Sequence, residues 1–418
     1  MAGAARRCGV SRRTFLAGGL GTGAAVVGAG TLASCANSSD AGAQLPDARY
    51  VPFEGTHQTG ITAMPVPARS LMAAFSVQAR DRAGLRRLFT ELTEEIRGLM
   101  AGRPVEQRDP TYPPLDSGIL GTSPPADDLS VIVSVGSTLF DARFGLAERK
   151  PIELVEMPFL ANDRLDSARS HGDLLFTLEA RHPDTIQFAL RQLMRRTRSD
   201  LVLHWMIEGY TRGSANAASG GTPRNLLGFK DGTANLPQDD DVVMDRYVWV
   251  GAGDPEPGWA AGGSYHVART IRMFVEFWDR TPLREQEALI GRQKASGAVL
   301  GQAAEHDTPA YAEDPDGLVV PLTAHIRLAN PRTPATEENL ILRRGFSFSR
   351  GFDASGQLDQ GLAFVCYQRS LRKGFLTVQE RLSGEPLEEY IMAVGGGFFF
   401  ALPGVPSPDR FLGDALLA

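Results

Sequence analysis

Three short segments in the second half of the chain carry residues whose types could do chemistry. Asp231 lies in a G-x-x-D-G segment at residues 228–232, where a carboxylate could move protons and the glycines would let backbone approach a flat ligand. His325 offers an imidazole ligand for a metal, and Arg343 offers a fixed positive charge. Each residue alone also has an ordinary interpretation. Asp231 could belong to an Asp-Gly turn, His325 could be a core histidine, and Arg343 could lie at the solvated end of a strand. The three residues stand in the order Asp231, His325, Arg343, separated by 94 and 18 residues.

Several other kinds of site are disfavoured by motifs that the sequence lacks. It has no C-x-x-C, no C-x-x-C-H and no H-x-x-x-H, which disfavours structural zinc and covalent haem attachment. It also has no G-x-x-x-x-G-K-[ST] phosphate loop and no G-x-S-x-G nucleophile turn. With 43 basic against 49 acidic residues, a net charge of −6, there is no electrostatic reason to expect nucleic acid as a partner.

The N-terminus reads as an export signal. Arg12 and Arg13 precede a weakly apolar, Gly- and Ala-rich stretch that runs to about residue 33, which resembles a twin-arginine signal peptide. A membrane anchor is the alternative, but so many glycines make a poor membrane helix. We therefore predict a signal peptide and linker over residues 1–44, and a periplasmic or extracellular protein. Cys35 ends a segment that resembles a lipoprotein cleavage site, and the sequence leaves open whether Cys35 is acylated.

Removal of the leader changes both the charge and the cysteine count. Residues 1–44 carry four Arg and one Asp, so their loss takes the net charge from −6 to −9. Cys366 then has no intramolecular disulfide partner other than Cys35. An exported chain without disulfides, carried by a route for folded cargo, points to a cofactor loaded in the cytoplasm.

Hydrophobic patterns predict the elements that position the three residues. Each half of the chain shows the order strand, helix, strand, strand, helix, strand, which predicts an α+β fold of two ferredoxin-like halves, each an antiparallel sheet with peripheral helices. We place the N-terminal domain at residues 45–215 and the C-terminal domain at 216–418, with the boundary in the Gly- and Ser-rich stretch 213–221. The predicted strands are 71–77, 129–135, 174–178, 265–278, 345–352 and 362–368, and the predicted helices cover 85–99, a segment starting at Pro183, 282–294 and 378–382.

Taken together, these segments resemble the dye-decolourising peroxidase (DyP-type) family, whose members combine a G-x-x-D-G motif with a downstream haem-ligating histidine and a distal arginine. Both the order and the spacing of Asp231, His325 and Arg343 agree with that family. The resemblance is closest to its exported deferrochelatase/peroxidase branch and spans almost the whole chain. It also rests on residues 55–61, 362–368, 384–390 and 395–403.

The resemblance implies a role for each of the three residues. His325 would be the proximal ligand of haem iron, and its second ring nitrogen would donate a hydrogen bond to an acceptor. Glu385 is our candidate for this acceptor, and Glu389 is the alternative that the sequence leaves open. Asp231 would be the distal acid/base that moves a proton between the oxygens of hydrogen peroxide. Arg343 would stabilise the separating charge beside it.

Two neighbouring assignments depend on the same resemblance. Arg344 adjoins Arg343, and strand alternation would turn one of them inward and the other outward; the family spacing favours Arg343. Phe364 would line the distal pocket, although the sequence is explained equally well if Phe364 is only a buried residue of a strand. The haem rim would be formed by Gly232, Thr233, Ala234, Asn330, Pro331 and Arg332, with Arg332 giving a charge-assisted contact to a propionate. Arg343 would also contact the haem, on the distal side.

Two classes of function remain. The first is a peroxidase with one haem b per chain that uses hydrogen peroxide to oxidise organic donors such as dyes or porphyrinogens; the branch adds deferrochelatase activity, the release of iron from haem with the porphyrin intact. The second is an exported haem-binding or iron-uptake component in which haem is cargo. Asp231 and Arg343 favour the enzyme, because a carrier needs His325 but no distal acid and cation. A carboxylate base predicts an acidic optimum, and the family implies a homodimer.

Overall fold

The computed structural model describes residues 50–212 and 221–418. The predicted leader, with Arg12, Arg13 and Cys35, lies outside these residues, and so does the predicted boundary after residue 215. In the described part of the chain, no helix combines the length and apolarity needed to cross a bilayer.

Both halves contain strands and helices. The strands are β1 (Arg69–Val77), β2 (Ser130–Gly136), β3 (Leu174–Ala180), β4 (Leu201–Tyr210), β5 (Ser264–Met273), β6 (Leu342–Arg343), β7 (Phe346–Phe352), β8 (Leu358–Gln368) and β9 (Ile391–Ala401). The α-helices are α1 (Arg82–Met100), α2 (Pro183–Arg196), α3 (Asp241–Tyr247), α4 (Val275–Trp278), α5 (Leu283–Ile290), α6 (His325–Ala329) and α7 (Thr377–Leu382).

All strand pairs in the sheet are antiparallel, in the order β5-β9-β2-β3-β1-β4-β7-β8, with β6 also on β8. Because β5 also pairs with β8, the sheet closes on itself. The halves join where β2 meets β9 and where β4 meets β7. The predicted antiparallel α+β class is confirmed, and the sheets of the two halves form one closed sheet rather than two separate ones.

The first helix illustrates how local sequence sets the architecture. Asp81 caps α1 by accepting a hydrogen bond from the Gly84 N–H at 2.7 Å. The apolar side chains of α1 recur every three or four residues, so they share one face that packs on the sheet with α2. The opposite face of the closed sheet encloses a second apolar cluster that includes Ile132, Trp205 and Phe399.

Two predicted elements end earlier than expected. The strand predicted over 265–278 ends at Met273, and the remaining apolar residues form α4; a continuous apolar run cannot distinguish these states by periodicity. The helix predicted over 282–294 ends at Ile290, because Gly291 adopts φ +92° and closes it with a left-handed cap. Strands β4, β6 and β9 lie outside the predicted strand ranges.

Residues 161–170 of the first half, here called the crossing segment, lie against β9 of the second half and reach the cavity described below. The backbone N–H groups of Arg164 and Asp166 donate to the carbonyls of Ala393 and Val394 at 2.9 and 3.0 Å. A Cβ at Gly395 would come within 2.5 Å of the Arg169 carbonyl oxygen. The glycines of β9 therefore allow this close backbone approach, although they make the strand look like a loop in the sequence.

Candidate active site

One large cavity, of about 920 Å³, is lined mainly by residues of the second half of the chain. Its walls come from the loop around Asp231, from α6, from β6 and β8, and from the crossing segment of the first half. Its volume lies near the top of the usual range for ligand and cofactor sites, roughly 300–1,000 Å³. Asp231, His325, Arg343 and Glu385 all line it, so the fold brings together four residues that are far apart in the sequence.

His325 and Glu385 form a hydrogen-bonded pair on one side of the cavity. The imidazole Nδ1 lies 3.0 and 2.9 Å from the two carboxylate oxygens of Glu385. Glu385 is buried at 5% exposure, whereas the side chain of His325 keeps 31% exposure toward the cavity. Among the residues that the structure describes, none forms a hydrogen bond with Nε2 of His325. Glu389, the alternative acceptor, is exposed.

The electrostatics of this pair follow from its burial and its partner. Desolvation acts to lower the pKa of His325, but the charge of Glu385 and the hydrogen bond to it outweigh this effect, so the pKa is raised. A carboxylate on Nδ1 orients the ring and increases the donor strength of Nε2. Nε2 is thus the ring nitrogen of His325 that is left to bind a ligand in the cavity.

Asp231 and Arg343 form the second pair. Nη1 of Arg343 donates to Oδ1 of Asp231 at 3.1 Å, and both side chains are about one-third exposed to the cavity. The loop that carries Asp231 is fixed to β6 by Asn235, whose side chain donates to the Arg343 carbonyl at 2.8 Å and accepts from the Arg343 N–H at 2.9 Å. Gly232 adopts φ +125°, which only glycine tolerates easily. The loop and β6 therefore hold the Asp231 carboxylate and the Arg343 guanidinium in fixed positions relative to each other.

The neighbouring Arg344 has different partners. Its guanidinium donates to both carboxylate oxygens of Glu179 at 2.7–3.0 Å, and both side chains are at most 1% exposed. It also donates to Gln238 at 3.2 Å. Arg343 is thus the arginine beside Asp231, while Arg344 is held in a buried ion pair with the first half of the chain.

The predicted rim residues lie in two loops. Gly232, Thr233 and Ala234 line the cavity, and Thr233 Oγ1 donates to Glu305 at 2.9 Å. Asn330 and Arg332 also line it, whereas Pro331 is not among the lining residues.

A turn and an aromatic wall complete this part of the cavity. The Asn330 side chain accepts from the Arg332 N–H at 3.1 Å, in a turn where Arg332 adopts φ +57°. Phe364 is half-buried on the wall, with its ring 6.1 Å from that of Phe375.

Sequence reasoning missed several cavity residues. Arg269 and Asp163 form a buried ion pair on its wall, Lys230 pairs with Glu305, and Arg292 lines the cavity just after α5. Although burial acts to raise it, hydrogen bonds from Lys230, Thr222 and Thr233 lower the pKa of Glu305 to about 2. No motif connects these residues, because the members of each pair come from segments far apart in the chain. The lysine inside the G-x-x-D-G segment was the only available signal in the sequence.

The residues present fit a haem. In the described ranges no group of three or more His, Cys, Asp or Glu side chains could hold a bare metal ion. A single unpartnered imidazole nitrogen instead suits an iron whose other ligands come from a macrocycle. The cavity also offers an apolar wall at Leu362 and Phe364 and cations at its rim, as an amphipathic macrocycle with carboxylates requires.

A closed antiparallel sheet whose cavity holds the His325–Glu385 pair and the Asp231–Arg343 pair is the arrangement expected of a haem-dependent peroxidase. Residues 58–211 match the model for the N-terminal part of Dyp-type peroxidases, and residues 222–406 match the model for the C-terminal part. The chain belongs to the Dyp-type peroxidase family.

Relatives and solved structures agree with this assignment. The chain is 51% identical over 380 residues to proteins named deferrochelatase from Escherichia coli strain K12 and from Shigella flexneri, covering 90% of each chain. A DyP-type peroxidase from Cellulomonas bogoriensis superposes with a TM-score of 0.79 at 32% identity, covering 88% of this chain and 98% of that one. Ferric DtpA from Streptomyces lividans gives 0.79 at 34% identity, covering 88% and 97%.

Proposed function

We propose that the protein is an exported haem b peroxidase that uses hydrogen peroxide to oxidise organic donors such as dyes or porphyrinogens. The observation that carries this proposal is the presence, in one cavity, of the His325–Glu385 pair and the Asp231–Arg343 pair. When bound, haem supplies the iron at which peroxide is reduced and through which electrons from the donor pass.

The protein's own residues handle the protons. Oδ1 of Asp231 is engaged by Arg343, and no hydrogen bond within the described part of the chain involves Oδ2. Oδ2 can therefore take a proton from one oxygen of hydrogen peroxide and return it to the other as the O–O bond breaks. Arg343 stabilises the negative charge that develops on the departing oxygen. Two electrons from the donor and two protons complete the reduction of one peroxide to two waters.

On the other side, the proposed role of His325 is to donate Nε2 to the iron. Glu385 fixes the ring through Nδ1, so the imidazole stays in one tautomer and one orientation. Gly232, Thr233, Ala234, Asn330, Pro331 and Arg332 are proposed as the haem rim, with Pro331 contributing through its position between two lining residues. Phe364 is proposed as an apolar wall on the side of Asp231.

We also propose deferrochelatase activity, the release of iron from haem with the porphyrin intact. The support is the 51% identity to proteins of that name. The alternative is a haem carrier or iron-uptake component in which haem is cargo; the Asp231–Arg343 pair argues against it, because transport needs neither residue.

A single purified sample tests these functions. A Soret band in the protein as isolated is expected, together with peroxide-dependent bleaching of a dye. Incubation with haem under reducing conditions and without peroxide should release free protoporphyrin if the deferrochelatase proposal is correct. Haem binding without either turnover would favour the carrier.

Export, domain division and assembly are further proposals. The Arg12–Arg13 segment supports the twin-arginine route for a leader of residues 1–44, with Cys35 as a second candidate mature end if it is acylated. The matched family models stop at 211 and start again at 222, which supports domains at 45–215 and 216–418. A homodimer is proposed from family resemblance. Mass spectrometry of the exported chain and light scattering measure the mature end and the oligomeric state.

A further inference from the structure

Most cations on the cavity wall are neutralised by a carboxylate. These ion pairs are Lys230–Glu305, Arg269–Asp163, Arg343–Asp231 and Arg344–Glu179. Arg224, Arg292 and Arg332 also line the cavity, but none of the three forms an ion pair with any residue that the structure describes. Arg224 and Arg332 are exposed, so solvent can stabilise their charges, whereas Arg292 is only 7% exposed.

The hydrogen bonds of Arg292 leave most of its guanidinium unused. Nη1 donates to the carbonyl oxygens of Gly297 at 2.6 Å and Glu305 at 3.0 Å. No described residue accepts from its other two nitrogens. The Glu305 carboxylate is itself occupied by Lys230 and Thr233. Arg292 is therefore a buried cation on a cavity wall without a countercharge, an arrangement that is costly unless an anion completes it.

The surrounding charges point the same way. Burial lowers the pKa of Arg292; Tyr311 and Glu305 oppose this effect, while the guanidiniums of Arg332 and Arg343 reinforce it. An arginine stays protonated in spite of such a shift. The Arg343 charge is matched by Asp231, so Arg292 on the wall and Arg332 at the rim keep their positive charges without a carboxylate. The guanidinium of the exposed Arg224 is engaged by the carbonyls of Gly228, Lys294 and Ala295.

We propose that Arg292 is a second carboxylate-binding cation, which works with Arg332 to hold a flat ligand that carries two carboxylates. The inference rests on the proposed function, since the ligand it describes is a dianionic tetrapyrrole. Each guanidinium offers charge-assisted hydrogen bonds to one carboxylate. The cavity therefore selects a tetrapyrrole diacid over its neutral diester.

The test measures binding rather than turnover. The haem-free full-length chain is titrated with protoporphyrin IX, which lacks iron and so removes the contribution of His325, and with its dimethyl ester; fluorescence reports the Kd. The wild type should bind the diacid more tightly. Arg292→Met should weaken diacid binding by about ten- to a hundredfold, the loss of a hydrogen bond to a charged group, and leave diester binding unchanged. Arg292→Lys should recover part of the loss.

Arg196→Met, an exposed change on α2, serves as the matched control and should leave both Kd values at the wild-type level. Equal binding of diacid and diester by the wild type would overturn the inference. So would an equal loss for both ligands in Arg292→Met, which would mean that the arginine only supports its loop through Gly297 and Glu305. If the wild type binds haem but fails this comparison, only the inference is wrong; if it binds no tetrapyrrole, the proposed function is wrong as well.

Discussion

Arg343 donates through Nη1 to Oδ1 of Asp231 at 3.1 Å, although 112 residues separate the two in the chain. The contact is possible because Asn235 ties the loop of the acid to the backbone of Arg343 through two hydrogen bonds. An acid and a cation fixed in this way can act together on one small substrate.

Removing either member of this pair should slow the reaction with peroxide but leave haem bound. We expect Asp231→Ala to lower the rate by about 10²–10⁴-fold, as for loss of a general acid/base, and Arg343→Met to lower it by roughly 10²–10³-fold. Stopped-flow absorbance with hydrogen peroxide measures both rates. Asp316→Asn, which changes an exposed carboxylate that does not line the cavity, is the control. Full turnover in both active-pair variants would rule out the proposed roles.

A carboxylate base also predicts how the rate depends on pH. Carboxylic acids ionise about two pH units below imidazole, so the peroxide reaction should remain fast at mildly acidic pH. The measurement is the bimolecular rate against pH from about 3 to 8. An ascending limb near pH 6–7 would instead indicate a histidine base and would contradict the role of Asp231.

Glu385 should tune the bound haem through His325. Glu385→Gln keeps a hydrogen-bonding group but loses the charge, so Nε2 becomes a weaker donor and the reduction potential of the haem should rise. Haem affinity should fall by about 10–100-fold. Spectroelectrochemical titration measures the potential, and exposed Glu389→Gln is the control. The same shift in both variants would argue against a specific contact.

The Arg344–Glu179 pair should matter for stability. Glu179→Ala leaves a buried guanidinium without its partner, and we expect it to lower the free energy of unfolding by about 3–5 kcal/mol. Denaturant titration measures the loss. Arg343→Met, which removes a partly exposed pair, should cost no more than about 1 kcal/mol. The double variant Glu179→Leu with Arg344→Met should be more stable than Glu179→Ala; if it is less stable, the unpaired charge is not the cause.

Glu305 should make stability depend on acid pH. Its folded-state pKa is about 2, below the ordinary 4.5, so its contribution to stability is present above about pH 4.5 and is lost as the pH falls toward 2. Glu305→Gln should remove this contribution. The difference in unfolding free energy between wild type and variant should therefore shrink between pH 5 and 2. A difference that stays constant over this range would contradict the lowered pKa.

Much of the fold could be predicted from short-range patterns. The buried face of α1 follows from apolar residues at helical spacing, and β1 to β3 follow from continuous apolar runs. Strand β9 could not be predicted in this way, because Gly395, Gly396 and Gly397 suggest a loop. Gly395 is required by the crossing segment, because a Cβ there would come within 2.5 Å of the Arg169 carbonyl oxygen. Gly396 is required by β5, because a Cβ there would come within 2.0 Å of the Ala268 carbonyl oxygen.

The sequence by itself determined the fold class, because hydrophobic patterns are written along the chain. Its motifs and their spacing also singled out Asp231, His325 and Arg343 as candidate site residues. Only the tertiary structure decided which glutamate contacts His325, which arginine contacts Asp231, and that Arg292 is buried without a countercharge. These relationships depend on distances between strands, helices and loops that lie far apart in sequence, and such distances are set by closure of the sheet rather than by any local pattern.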